Sequence, residues 1–140
     1  MSDNTKDQLL KVLVVDDDPL IVTLLAAILA REGFEVLEAT SGEQGLRLAR
    51  TGSPDVVLLD IMMPEMSGFE VYRRLRVQPE TKGIPVIFLT ASMKPENMSR
   101  SMELGAGGYV TKPFSPLVLV NALKETCRLR GESPIVLRSC

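Results

Sequence analysis

Three short runs of the chain are apolar without a break: Val12-Leu13-Val14-Val15, Val56-Val57-Leu58-Leu59 and Val86-Ile87-Phe88-Leu89. A strand with one face in water alternates apolar and polar side chains. Unbroken runs of this length therefore predict strands covered on both faces, as in a parallel sheet. Glu35 to Ala39 and Gly108 to Thr111 are two weaker strand candidates. Helical stretches lie between the strands. Asp18 is placed to cap the first, Pro19 suits its first position, and Gly33 stops it. Within it Leu20, Ile21, Leu24, Leu25, Ile28 and Leu29 recur at the spacing of an apolar stripe. Ser41 opens a second helix that Gly52 closes, a third runs from about Ser67 to Val77, and a fourth from about Pro95 to Leu104. Ser115 and Pro116 begin a fifth, which fades by Gly131. Strand and helix alternating five times predict a doubly wound α/β domain, a parallel sheet with helices on both faces. The pattern occupies residues 11–130, between a polar tail over 1–10 and a second tail over 131–140, with no internal repeat or linker to a second domain.

Composition narrows the function classes. The chain has 140 residues, the usual size of one domain and enough to bury a core without metal or disulfide staples. A net charge of −2 leaves no basic footprint for direct nucleic-acid binding and no polybasic membrane patch. No apolar run approaches a membrane span, so membrane insertion is not expected, and the polar, acid-containing start MSDNTKDQ does not resemble a signal peptide. Two cysteines, Cys127 and Cys140, do not make a disulfide framework, which fits a reducing cytoplasm. Histidine is absent altogether, so any chemistry proceeds without an imidazole base, a histidine metal ligand or a phosphohistidine of the chain's own.

Ligands of open α/β sheets bind beyond the carboxyl ends of the strands. Asp16, Asp17 and Asp18 follow the first predicted strand, Asp60 ends the third, Thr90 and the small Ala91 end the fourth, and Lys112 follows the fifth. Each has a bland reading alone: Asp18 a helix cap, Asp60 a turn residue, Thr90 an ordinary β-branched residue, Lys112 a surface charge. Together they bring acids, a hydroxyl and an ammonium to one rim. Carboxylates about 4 Å apart repel by roughly 4 kcal/mol at an effective dielectric near 20, so such a cluster needs a cation. Oxygen-only ligands favour a hard ion that keeps waters, Mg2+ or Mn2+.

The segments VLVVDDDP, VVLLDIMMPEMSG, VIFLTAS and GGYVTKPF resemble, in order and spacing, the four signature segments of response-regulator receiver domains. The resemblance covers roughly residues 10 to 130. It implies a flavodoxin-like five-stranded parallel sheet in order 2-1-3-4-5. It implies Asp60 as the phosphoryl acceptor, Asp17, Asp60 and the backbone carbonyl of Met62 as direct metal ligands, and Asp16 as the acid that holds the metal through water. Lys112 matches the lysine that pairs with the phosphoryl oxygens, Thr90 the hydroxyl that grips one of them, Tyr109 the aromatic switch and Gly68 the loop glycine after the acceptor. A cis Lys112–Pro113 bond is also usual in the family. The implied donor is the phosphohistidine of a histidine kinase or phosphotransfer protein. The implied protein is a switch that catalyses its own phosphorylation and slow dephosphorylation, rather than an enzyme.

Asp16-Asp17-Asp18 contains the Asp-x-Asp spacing of haloacid-dehalogenase-type phosphatases, but Pro19-Leu20 replaces the Thr or Val expected next and Met62 follows Asp60 where a second acid is required. Gly105-Ala106-Gly107-Gly108 follows a helix and precedes a strand, the reverse of a dinucleotide loop, and reads as a helix stop. The run Tyr72-Arg73-Arg74-Leu75-Arg76 reads as a solvated helix face, with a docking role as the sharper alternative. The fifth helix opens with an almost continuous apolar run, Leu117 to Leu123, and Met98 and Met102 lie on the fourth. A surface helix needs only one apolar stripe, so the remainder, including Val118, suggests an output face of fourth helix, fifth strand and fifth helix. That face would meet a downstream protein, an output domain or a second copy. Stand-alone switch and receiver portion of a longer regulator stay equally open.

Overall fold

The strand runs fold as their burial pattern demands. In the computed structural model, which describes residues 10–90, 99, 108–111 and 115–128, β1 (Lys11–Val15) lies inside a parallel sheet with β2 (Glu35–Ala39), β3 (Val56–Asp60), β4 (Val86–Thr90) and β5 (Gly108–Thr111). The order is β2-β1-β3-β4-β5, as expected, and every neighbouring pair is parallel. Alternate residues of each strand feed opposite faces. Leu13, Val15, Val57, Leu59, Val86 and Phe88 enter one core, and Val12, Val14, Val56, Leu58, Ile87 and Leu89 the other.

Among the described residues four helices cover these cores. α1 (Pro19–Arg31) and α4 (Pro116–Arg128) pack on the second set through Val22, Leu25, Leu29, Leu119 and Leu123, while α2 (Gly42–Gly52) and α3 (Gly68–Arg76) pack on the first. The caps follow local chemistry. Asp18 accepts from the Leu20 N–H at 3.0 Å, Ser41 from that of Gln44 at 3.1 Å and Ser67 from that of Glu70 at 3.2 Å. Phe69 meets Phe88 edge to face with ring centroids 5.2 Å apart, seating α3 on β4. The predicted helix over 95–104 lies, apart from Ser99, outside the described residues.

Two local expectations are corrected and one is refined. The buried stripe of α1 is Val22, Leu25 and Leu29, whereas Leu20 is 78% exposed and Leu24 half exposed. Apolar identity alone does not reveal which face a leucine occupies. α2 closes at Gly52 as expected, and the left-handed position falls on Ser53, with φ +49°. A Cβ on Gly52 would lie 2.5 Å from Leu37 Cδ1, so that glycine serves close packing rather than the turn. In the basic run, Tyr72 is buried and Arg76 is structural. Its guanidinium lies 4.4 Å from the Tyr72 ring centre and donates to the carbonyls of Lys82 at 2.8 Å and Ile84 at 3.1 Å.

Candidate functional site

β1 and β3 are neighbours, and the chain reverses its direction of winding between them: β2 joins on one side, β4 and β5 on the other. This is the switch point where open α/β sheets bind ligands. Asp16 and Asp17 leave the end of β1, and Asp60 is the last residue of β3. Carboxylate oxygens of all three lie within 4.8 Å of one another. Asp16 and Asp60 are only 1% and 3% exposed, while Asp17 faces solvent. Asp16 Oδ1 accepts from the Asp18 N–H at 3.0 Å, and its own N–H donates to the Ala39 carbonyl at 3.2 Å. The cap residue Asp18 thus positions Asp16. Two buried carboxylates and an exposed third, all oxygen donors, are a set that could hold a hard divalent ion.

Behind Asp60 the backbone is tightly packed. The Ile61 N–H donates to the Leu89 carbonyl at 3.1 Å, and Gly68 N–H returns to the Ile61 carbonyl at 2.9 Å. A Cβ on Gly68 would stand 2.3 Å from the Asp60 carbonyl oxygen. Close packing, and not a left-handed backbone, is what this position requires; among the described glycines only Gly33 has positive φ. Met62, two residues past Asp60, is 61% exposed. Beside Asp17 opens a cleft of about 460 Å³, lined among others by Thr40, Ser41, Glu43, Met63 and Met66. The sequence reading missed this wall. Ser41 carried a signal only as a helix cap, and nothing in the spacing announces that the β2–α2 and β3–α3 loops converge.

Thr90 ends β4, in register with Thr111 of β5, and Tyr109 pairs with Phe88. The backbone thus brings Thr90 to the strand-end rim that carries Asp60. Lys112, the Lys112–Pro113 bond, Met98 and Met102 lie outside the described residues. Val118 is half-buried, and its neighbour Leu117, 68% exposed, is the outward apolar residue of α4.

Fold and acid cluster together define a doubly wound α/β domain with a carboxylate-lined pocket at its switch point. A family model described as the response regulator receiver domain matches residues 12–124, and the chain belongs to that family. It is 45% identical over 122 residues to the alkaline phosphatase synthesis transcriptional regulatory protein PhoP of Bacillus subtilis, covering 87% of this chain and 50% of that protein. It is 38% identical over 129 residues to the DNA-binding response regulator MtrA of Mycolicibacterium smegmatis, covering 92% of this chain and 55% of that one. The chain therefore spans about half the length of these curated relatives. Among solved structures, Vibrio cholerae chemotaxis protein CheY4 superposes with a TM-score of 0.80 at 35% identity, covering 84% of this chain and 98% of that one. A putative response regulator from Chloroflexus aurantiacus superposes at 0.81 and 33% identity, covering 86% and 99%. The chain is thus a receiver domain, consistent with a phosphoacceptor switch, and nothing supports the phosphatase alternative. No helix among the described residues is long and apolar enough to cross a membrane.

Proposed function

We propose that Asp60 is the residue that takes the phosphoryl group, within a receiver unit spanning residues 11–130 in the cytoplasm. The observation that carries this reading is the meeting of buried Asp60 with Asp16 and Asp17, all within 4.8 Å, at the switch point. A carboxylate oxygen of Asp60 attacks the phosphorus of a phosphohistidine or acyl phosphate in line. The bond to the leaving group breaks as the new P–O bond forms, giving an aspartyl phosphate. Asp17, Asp60 and the Met62 carbonyl would hold Mg2+, with Asp16 acting through water. When bound, the ion neutralises the equatorial oxygens of the transferring group. Lys112 supplies a second positive charge and Thr90 a hydroxyl to one phosphoryl oxygen. The donor is a histidine kinase or phosphotransfer protein, since the chain has no histidine. In the test, acetyl phosphate and Mg2+ give one acid-stable, base-labile phosphoryl group per chain by intact mass. No incorporation from acetyl phosphate or from a cognate kinase would remove the reading.

Ion binding restricted to the folded acid cluster stabilises the protein by mass action, by about 1.4 kcal/mol at ten times the dissociation constant. At this chain length that is a rise of a few degrees in melting temperature. Asp17→Asn should cancel most of it, and thermal melts with and without Mg2+ provide the check. An equal shift in the variant contradicts a ligand role for Asp17.

Lifetime depends on the side chain two residues past the acceptor. The thioether of Met62 orders water poorly, so hydrolysis of the aspartyl phosphate is slow. Met62→Asn should shorten the half-life severalfold, as followed by decay of the labelled species after the donor is removed. An unchanged decay rate contradicts this role.

The output face runs from the fourth predicted helix with Met98 and Met102, across β5 with Tyr109, to Val118 of α4. Phosphorylation draws Thr90 inward, the Tyr109 ring fills the vacated space, and the population shifts toward the form that meets a downstream protein, an output domain or a second copy. Beryllofluoride, a phosphoryl mimic, should alter sedimentation or partner binding of the wild type and leave Val118→Glu unresponsive. A response shared by both proteins places the output elsewhere.

A further inference from the structure

The chain carries a net −2, yet the helices α2 and α3 reverse that sign, with Arg47, Arg50, Arg73, Arg74 and Arg76 against Glu43 and Glu70. Arg76 is engaged with Tyr72 and two carbonyls, as described above. Glu70 accepts from Arg73 Nη1 and Arg74 Nε, each at 3.0 Å, which holds its carboxyl below the ordinary glutamate range. One carboxylate therefore faces two guanidiniums. Arg47 and Arg50 are exposed and have no acceptor for their guanidiniums among the described residues. A single cation in the last turn satisfies a helix dipole, and this face holds more than that.

The two helices do not close on each other at this end. A cleft of about 200 Å³ separates them, walled by Arg50 and Arg74, floored by Leu46 and Leu75, and ended by Gln78 and Thr81. The Thr81 hydroxyl is already engaged, donating to the Leu75 carbonyl at 2.7 Å. The cleft lies by the C-terminal turns of α2 and α3, remote from the rim that carries Asp60. Planar guanidiniums match a carboxylate in a forked, two-bond geometry. The leucine floor offers nothing to a free phosphate or a polynucleotide backbone, but it fits the carbon stem of an acidic side chain and the apolar residues beside it.

We infer that the α2–α3 cleft docks an acidic amphipathic segment of a partner protein, one carboxylate seated between Arg50 and Arg74 with its carbon stem on Leu46 and Leu75. The contact is constitutive, because no residue of the cleft belongs to the acid cluster. It tethers the partner while the opposite end of the domain changes state, and it stands whether or not Asp60 is the acceptor.

The experiment titrates the 15N-labelled chain with a synthetic helical peptide of alternating glutamate and leucine pairs, with its glutamine-for-glutamate analogue, with inorganic phosphate and with a short DNA duplex. The acidic peptide should shift the amides of Leu46, Arg50, Arg74, Leu75 and Thr81, and added salt should weaken it. Arg50→Gln and Arg74→Gln should each reduce affinity roughly tenfold, the scale of one charge-assisted hydrogen bond. Arg31→Gln, on the far face, should leave it unchanged. The inference is overturned if the glutamine analogue binds as well, if Arg31→Gln weakens binding equally, or if phosphate or DNA produces the same shifts with equal affinity.

Discussion

Asp60→Asn should reduce phosphoryl incorporation from acetyl phosphate to background, with the fold intact. The substitution keeps the shape of the side chain and removes only the nucleophilic oxygen. Its site is 3% exposed at the end of β3, where an amide fits the space of the carboxylate. Among the described residues no other carboxylate of the cluster has an equivalent position: Asp16 is held by the Asp18 N–H, Asp18 caps α1, and Asp17 faces outward. A chain without histidine cannot reroute the group to an imidazole. Intact mass after incubation with donor and Mg2+ reads the outcome, and a circular-dichroism melt within a few degrees of wild type separates chemical loss from unfolding. Full labelling of the variant would mean that another residue accepts the group.

Gly68→Ala is expected to damage stability and chemistry together. The added methyl would stand 2.3 Å from the Asp60 carbonyl oxygen and 2.9 Å from the Ile61 Cα, both backbone atoms that no rotamer change can move aside. Either the start of α3 lifts or the end of β3 is pushed. Overpacking of this kind costs about 1–3 kcal/mol, and each kcal/mol lowers the melting temperature by roughly 3–5 °C for a chain of this length. Displacing the acceptor by even a fraction of an ångström also slows transfer, and a 1 Å error can cost roughly a hundredfold. Gly83→Ala is the matched control, since nothing lies within 4 Å of a Cβ there and its φ is not left-handed. If both variants melt and label like wild type, the Gly68 contact does not constrain Asp60.

The strands were legible because burial on both faces removes the polar positions that would interrupt an apolar run. Even β2, at the sheet edge with Glu35 and Glu38 exposed, could be placed by the rhythm of its neighbours. Caps were equally legible, since Asp18, Ser41 and Ser67 act on donors only two or three residues away. Contacts between elements were not. Leu20 and Leu24 read as core because leucine looks the same on either face, and the crowding of Gly52 by Leu37 left no local mark because it comes from another element. Strand ends announced the acids. The Met63 and Met66 wall beside them depends on how two loops approach, which no local pattern encodes.

The interior place of β1, between β2 and β3, bears on how the polypeptide assembles during synthesis. Its two partners, β2 and β3, both follow it closely in sequence, and β4 and β5 then add outward on one side. A nascent chain that has emerged as far as Arg76 already holds Asp16, Asp17 and Asp60, and the helices α2 and α3 that cover one side of β1 and β3. The opposite side of β3 waits longer. Leu58 is covered there with Leu119 and Leu123 of α4, which are translated dozens of residues later. Domains generally fold as units when translation has delivered enough chain. Here the residues of the acid cluster are translated early, while the core around Leu58 is completed only when α4 supplies Leu119 and Leu123.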